Sequence, residues 1–261
     1  MIDVNKINNY ALYLGDYLQV IKEIPDSSID LILTDPPYNL AQYSTGNLKF
    51  DWRADRNNDV AEWDLVDLDP NNLVDEFKRI LKPKGNIFVF CSYNLIGEYH
   101  KAFDPVFDTF QFMVWHKTNP VPNFRKTSFL NSCELIIACW NKGHTWNFTN
   151  QKDMHNFVEC GICMGNERIK DSSGKNLHPT QKPISILKKI ISIASNENDL
   201  ILDCFNGVGS TGEAALRLNR RYIGIEIEKQ YVEVSKKRLD NLKKLGGSID
   251  GSFNEMARRL R

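Results

Sequence analysis

The chain has 261 residues, of which 42% are hydrophobic and 25% are charged, and its formal net charge is zero. This composition is ordinary for a globular protein, and the length allows one large α/β domain with a sizeable core. The N-terminus lacks the pattern of a secretory leader, and no apolar run approaches the roughly 20 residues of a membrane span. We therefore expect a cytoplasmic protein without a membrane partner.

The zero net charge averages an uneven distribution along the chain. Residues 1–116 carry 10 basic and 18 acidic side chains, residues 117–182 carry 9 and 5, and residues 183–261 carry 14 and 10. A polyanion needs a local basic surface rather than a basic protein, so the middle and the tail could contact phosphates. An ordinary solvated surface would give the same counts.

The first third of the chain predicts two strands that end at acidic residues. Residues 11–16 are read as a strand ending at Asp16 and residues 17–24 as a helix. The continuous apolar run 29–35 is typical of a buried parallel strand. It stops at Asp35-Pro36-Pro37-Tyr38, because two prolines cannot continue a central strand. The polar stretch 39–70 is predicted to be a long loop beside a site.

The remaining elements alternate between strands and helices. Residues 142–177 lose clear periodicity, so we interpret them as an insertion. The pattern predicts helices at 72–81, 184–194, 210–218 and 230–245. It predicts strands at 86–92, 110–117, 134–141, 199–205 and 221–227, with a frayed tail from 246.

Such alternation predicts a single domain, 1–261, with a doubly wound, mostly parallel sheet and helices on both faces. Ligands of these folds bind at the carboxyl ends of the strands. Asp16, Asp35, Asp203 and Glu226 all fall at or near predicted strand ends. This coincidence places the candidate site there.

The six cysteines include one Cys-x-x-Cys pair, Cys160 and Cys163. A structural zinc site needs four ligands, and no second such pair follows. His155 and His178 could contribute, but their spacing fits no common zinc pattern. We therefore expect no metal, with the cysteines as free thiols.

A glycine-rich turn follows the strand at 199–205. Phe205-Asn206-Gly207-Val208-Gly209 continues to Gly212 and matches G-x-G-x-x-G, in which glycines let the backbone approach a ligand closely. Glu226 ends the next strand, where an acid can accept hydrogen bonds from a ribose. The pattern favours an adenosine-containing cofactor. A nicotinamide dinucleotide, or a tight turn without a ligand, would also fit.

The segment Asp35-Pro36-Pro37-Tyr38 suits chemistry on an exocyclic amine. The lone pair of such an amine is delocalised into the aromatic ring, and attack on a methyl sulfonium requires that it be localised. A carboxylate and a backbone carbonyl that accept the two N–H groups would do this. The prolines fix the direction of the carbonyl, and Tyr38 offers a face on which a base can stack. A rigid turn without function is the alternative.

Together these motifs resemble the amino-methyltransferases of DNA. The catalytic motif precedes the cofactor motif, as in their circularly permuted β class, and the resemblance runs from about residue 10 to 240. It includes Gly15-Asp16, Asn119-Pro120-Val121-Pro122 and the hexapeptide 178–183 (His-Pro-Thr-Gln-Lys-Pro). One departure is Cys204, where a proline is common in the family.

The resemblance implies a role for each matching residue. Asp35, Pro36, Pro37 and Tyr38 would form the catalytic motif. S-adenosyl-L-methionine would be held by a set spread over both halves of the chain: Asp16, His178, Thr180, Lys182, Asp203, Phe205, Gly207, Gly209 and Glu226. Without the resemblance, Asp16 is equally well a helix N-cap and His178 a loop histidine.

The expected activity is site-specific methylation of DNA at N6 of a flipped-out adenine. N4 of cytosine, the amide of a protein, or an inactive DNA-binding relic are the alternatives. DNA contacts are expected at Asn119, Arg125, Lys126 and Arg168, and target recognition in 142–177. A homodimer and a cognate restriction endonuclease are further expected partners.

Overall fold

The computed structural model describes residues 1–38, 68–124, 126–171 and 173–242. Within these ranges eight strands form one sheet. Their bounds are β1 (Tyr10–Leu14), β2 (Ile29–Thr34), β3 (Leu81–Cys91), β4 (Thr109–Lys117), β5 (Cys133–Trp140), β6 (Phe157–Cys160), β7 (Leu200–Asp203) and β8 (Arg221–Glu226).

The strand order across the sheet is β1-β8-β7-β2-β3-β5-β4-β6. Neighbours pair in parallel except at β5, which runs antiparallel to both β3 and β4. The mostly parallel sheet is therefore confirmed. β5 begins at the edge where β3 and β4 end, since Glu134 pairs with Trp115 and Leu135 pairs with Cys91.

Helices cover both faces of the sheet. They are α1 (Tyr17–Val20), α2 (Pro70–Ile80), α3 (Ile96–Phe103), α4 (Ile184–Ala194), α5 (Ser210–Arg217) and α6 (229–242), with 3-10 turns at Val4–Lys6, Ile21–Glu23 and Gly165–Glu167. α1, α2 and α3 pack on one face and α4, α5 and α6 on the other. No described helix has the length and apolarity that crossing a membrane would require.

Residues of β2 point into two hydrophobic clusters, one on each face of the sheet. Ile29 and Ile32 point into the cluster under α2 and α3, whereas Leu31 and Leu33 point into the cluster under α4 and α5. All four side chains are fully buried. A central strand covered on both faces explains the continuous apolar run in the sequence.

Two elements were not predicted. α3 is a short helix anchored by Tyr99 and Phe103, and β6 is an edge strand inside the stretch 142–177. β3 also begins five residues before its predicted start. Leu81 already pairs with Ile29 of β2, and the register between the two strands shifts before Asn86. Residues 39–67 of the predicted loop, and the tail from 243, lie outside the described residues.

Candidate active site

The acids at the strand ends meet at one cavity on the carboxyl edge of the sheet. Asp16, Asp35, Asp203 and Glu226 line it, and they follow or end β1, β2, β7 and β8. Parallel strands bring their carboxyl ends to the same edge, so acids distant in sequence become neighbours. The cavity that the strand ends predicted is therefore present.

The glycine-rich turn forms the floor of this cavity. Gly207 and Gly209 have φ of 50° and 79°, the left-handed region that favours glycine. A Cβ on Gly209 would lie 2.3 Å from Ser235 Oγ, and one on Gly207 would lie 3.2 Å from His178 Nε2. The turn into α5 thus needs glycine for both conformation and space, and His178 lies directly over it.

Glu226 holds the glycine-rich turn while lining the cavity. Its carboxylate accepts the Gly207 N–H at 2.7 Å and the Glu228 N–H at 2.9 Å. Burial raises its pKa, which the two backbone donors oppose. Each carboxylate oxygen has a second lone pair, so Glu226 can also accept from a ligand hydroxyl.

Two rings and an N-cap form the opposite side of the cavity. The rings of Tyr17 and Phe205 lie 4.8 Å apart between centroids. Asp16 accepts the Leu18 N–H at 2.8 Å and so caps α1. Asp16 therefore fits both interpretations of the sequence, because it is an N-cap that also lines the cavity.

Asp203 is the most buried of these acids, at 2% exposure. One of its oxygens accepts the Thr34 hydroxyl at 2.8 Å and the Phe205 N–H at 3.0 Å. Burial raises the pKa of Asp203 to about 6, against the lowering effect of hydrogen bonds from Thr211 and these two donors. Asp203 joins the ends of β2 and β7 at the cavity wall.

Asp35 lies at the far end of the same cavity with both carboxylate oxygens engaged. The Tyr38 hydroxyl donates to Oδ1 at 2.8 Å, and the Lys182 ammonium pairs with Oδ2. Pro36 and Pro37 are buried between them and fix the turn. Burial raises the pKa of Asp35, although the ammonium of Lys182 opposes the rise.

The hexapeptide 178–183 spans from the glycine turn to Asp35. Lys182 is buried, and its Nζ lies 5.2 Å from the ring centre of Tyr38 and 5.0 Å from that of Phe90. Burial lowers the pKa of His178 to about 4, with Lys182 and Arg168 adding to the effect, so the imidazole is neutral at physiological pH. Thr180 lines the cavity and donates its N–H to His178.

Two charged residues that the sequence analysis missed complete the site. Glu134 accepts from the Tyr38 hydroxyl at 3.2 Å and pairs with Lys182 at 3.5 Å and with Lys117 at 2.8 Å. The two residues are Lys117, the last residue of β4, and Glu134, the second residue of β5, and both lie at the carboxyl edge. The sequence signal that could have identified them is a charged residue directly beside an apolar strand.

The six cysteines carry free thiols. In the described part of the chain, no three His, Cys, Asp or Glu side chains cluster as a metal site would require. Cys204, where the family commonly has proline, is buried beneath the turn.

Comparison with known proteins identifies the family. A sequence model for N6 and N4 methyltransferases, described as DNA methylase, matches residues 29–237. The chain belongs to this DNA methylase family. S-adenosylmethionine is therefore the cofactor of this methylase, which removes the nicotinamide alternative.

Curated relatives and solved structures agree with this assignment. The methylase is 39% identical to Type II methyltransferase M.HinfI of Haemophilus influenzae, over 91% of this chain and 70% of the relative. It is 33% identical to Type II methyltransferase M2.LlaDCHI of Lactococcus lactis subsp. cremoris, over 89% and 90%. The crystal structure of the M1.HpyAVI–SAM complex matches with a TM-score of 0.62 at 26% identity, covering 88% of this chain and 99% of that one.

The residues expected to contact DNA differ in their surroundings. Asn119 accepts the Ile162 N–H at 2.7 Å and so ties β4 to the segment after β6. Arg168 donates to the carbonyls of Cys163 and Pro179, at 2.9 and 3.2 Å. Lys126 is exposed in the β4–β5 loop with φ of 53°, and Arg125 lies outside the described residues.

The stretch 142–177 divides between two edges of the methylase. Residues 141–148 lie at the amino edge of the sheet: Thr145 donates its N–H to the Lys84 carbonyl, and Asn147 donates to carbonyls at the end of α4. β6 then runs parallel to β4 towards the carboxyl edge, where Cys160 pairs with Lys117. In the described part of this stretch, residues from 160 onwards lie at the edge that holds the cavity.

Proposed function

We propose that this methylase transfers a methyl group to N6 of an adenine in DNA, with Asp35 as the acceptor for the target amine. The observation that carries the proposal is the Asp35 carboxylate, which stands at one end of a cavity whose other end is the glycine turn. Among the DNA amino-methyltransferases that the chain resembles, the Asp-Pro-Pro-Tyr form of the motif leans to adenine, whereas cytosine enzymes more often begin it with serine.

The residues at the turn end fit S-adenosylmethionine. Gly207 leaves a gap under His178 that a Cβ would narrow, and the Phe205 ring and two carboxylates border it. We assign Glu226 and Asp16 to the polar groups of its adenosine and Gly207 to close backbone approach, whereas Gly209 makes room for Ser235 of α6. When bound, the cofactor supplies a methyl group on a positively charged sulfur.

The chain's own groups prepare the target amine. An ionised Asp35 accepts one N–H, and we assign the second to the Pro36 carbonyl, which localises the lone pair on nitrogen. We assign the Tyr38 ring to stacking on the flipped-out base, and the Lys182 ammonium lies 5.2 Å from the centre of this ring. Asp35, which would accept this N–H, would also take up the proton that the nitrogen loses on methylation.

Nucleoside analysis by mass spectrometry, after incubation of DNA with the methylase and S-adenosylmethionine, tests this proposal. We expect N6-methyladenine, and Asp35→Asn should lower its rate of formation by about 10²–10³-fold with unchanged cofactor affinity. Asp75→Asn, a change at an exposed position of α2, is the matched control. N4-methylcytosine as the product would contradict the adenine assignment, and a nearly wild-type Asp35→Asn would contradict the role of Asp35.

We further propose that DNA approaches the carboxyl edge through the β4–β5 loop and residues 161–177. The loop joins Lys117 to Cys133, so both its ends lie at the carboxyl edge of the sheet. It presents Lys126 and a fully projecting Phe129, which is 99% exposed. A cation beside an exposed ring suits contact with phosphates and bases.

The placement of 142–177 sharpens the recognition proposal. Replacing 161–177 by the segment of a relative with different specificity should change the methylated sequence. Replacing 142–156 in the same way should not, since that part begins at the opposite edge. A chimera of 161–177 that is active at the original site would place recognition elsewhere, in the β4–β5 loop or a partner subunit.

The type II names of both curated relatives support a role beside a cognate restriction endonuclease. Methylated DNA should then resist that endonuclease in a cleavage assay. A homodimer remains a proposal for measurement by analytical ultracentrifugation.

A further inference from the structure

Glu134 occupies a position that the proposed reaction does not yet use. Its Oε1 pairs with Lys117 Nζ at 2.8 Å. Its Oε2 lies 3.2 Å from the Tyr38 hydroxyl and 3.5 Å from Lys182 Nζ. The carboxylate of Glu134 is thus a second acceptor for the two side chains that already donate to Asp35.

The present occupancy of Asp35 creates a conflict with its proposed role. Tyr38 donates to one oxygen of Asp35 and Lys182 to the other. An amine that enters must compete with these donors, one of which is a full positive charge, and charge-assisted bonds are the stronger ones. A site that binds an amine efficiently therefore needs another acceptor for the displaced donors.

We propose that Glu134 is a positioning residue that accepts the Lys182 ammonium and the Tyr38 hydroxyl when the target amine binds Asp35. The inference rests on the proposed function of Asp35. Both donors already lie within about a hydrogen-bond length of Glu134, so the exchange needs only small side-chain movements.

The charges around Glu134 make the exchange possible in a buried site. Two carboxylates and two ammonium groups balance there: Asp35, Glu134, Lys117 and Lys182. Their side chains are between 7% and 20% exposed. Moving Lys182 from Asp35 to Glu134 changes no net charge, and Lys117 holds Glu134 in place. Burial raises the pKa of Glu134, but Lys182 and Lys117 outweigh it and keep the group ionised.

Removing Glu134 should therefore act through Lys182. Glu134→Gln should lower the single-turnover rate of methyl transfer, at saturating DNA and S-adenosylmethionine, by about 10–100-fold, the scale of a misplaced catalytic group. In a Lys182→Met background no ammonium competes for Asp35, so Glu134→Gln should lower the rate of methyl transfer there by no more than about threefold. A double-mutant cycle measures this coupling. Glu98→Gln on the surface of α3 is the control and should leave the rate unchanged.

A pH profile separates this role from a merely structural one. The titratable groups around Asp35 are Lys182, Glu134, Tyr38, Cys91, Tyr99 and Asp203. The negative charge of Glu134 raises the pKa of Asp35, so Glu134→Gln should move the acid limb of the rate profile to lower pH. A residue that only maintains the fold would lower the rate without moving this limb.

Calorimetric binding of S-adenosylmethionine checks that Glu134→Gln is folded, and its affinity should stay within about twofold of wild type. If Glu134→Gln does not fold, Glu134→Asp keeps the charge balance and withdraws the carboxylate, and it should still slow transfer. The inference is overturned by a wild-type rate in the folded variant, by equal losses in both backgrounds, or by an unmoved acid limb. A wild-type enzyme that forms no N6-methyladenine would instead overturn the proposed function.

Discussion

Replacing Asp203 by asparagine should stabilise this methylase at neutral pH. Burial raises the pKa of Asp203 from 3.8 to about 6. A carboxyl whose pKa is higher in the folded than in the unfolded chain destabilises the fold once it ionises. At about 1.36 kcal/mol per pH unit, the rise corresponds to about 3 kcal/mol at pH 7. An asparagine oxygen can still accept from Thr34 and Phe205, which share one oxygen of Asp203.

The assay is urea denaturation of the free protein between pH 4 and pH 8. For the wild type, the contribution of Asp203 is favourable below its unfolded pKa and is lost as pH rises to about 6. Asp203→Asn lacks this loss, so the two proteins should be nearly equal at about pH 4 and differ by about 2–3 kcal/mol at pH 7. Asp75→Asn, at an exposed site, should follow the wild type throughout.

Equal stability of the two proteins at pH 7 would refute this reasoning, as would a difference that does not change with pH. The same charge connects stability with function. Asp203 belongs to the cofactor set that the resemblance implies, and a cation beside it would favour its ionised form, so the affinity of wild type for S-adenosylmethionine should increase as pH rises through about 6. Calorimetry should find a flatter profile for Asp203→Asn.

Three further changes probe other parts of the site. Glu226→Ala should weaken S-adenosylmethionine binding by roughly 1.5–3 kcal/mol in calorimetry, and unchanged affinity would remove it from the cofactor site. Gly209→Ala should lower the free energy of unfolding by about 1–3 kcal/mol, because its Cβ would meet a serine hydroxyl on α6. Gly143→Ala has a similar φ in open space and should cost less. Neutralising Arg125 and Lys126 should reduce the log–log salt slope of DNA binding by about 1–2, and an unchanged slope would place the phosphate contacts elsewhere.

The sequence predicted the sheet and its ligand edge because parallel strands leave strong local signals. Buried strands such as 29–34 are continuous apolar runs, and prolines or glycines mark their ends. β6 was missed because an edge strand of four half-exposed residues has no such run. α3 was missed because eight residues are too few for a clear helical period.

The site was predicted as far as its residues lie in contiguous motifs. Glu134 and Lys117 belong to no such motif, and their relation to Asp35 depends on β5 running antiparallel to β3 and β4. The position of Asn147 in the fold could not be predicted for the same reason. The segment around Asn147 has the polar composition of a recognition region, but the chain places it at the amino edge of the sheet, next to the end of α4.

The acids at the strand ends show why position alone does not assign a role. Asp203, Glu226 and Asp35 all end or follow parallel strands, yet their donors differ. Asp203 accepts from the Thr34 hydroxyl and the Phe205 N–H, and Glu226 accepts from the backbone amides of Gly207 and Glu228. Asp35 instead accepts from two side chains, the Tyr38 hydroxyl and the Lys182 ammonium, and the carboxylate of Glu134 can accept from both of them. Glu226, held by backbone amides, shapes the glycine turn, whereas Asp35, held by two side chains that Glu134 can also accept, can receive a substrate. This difference in donors is the physical reason to place the reacting amine at Asp35.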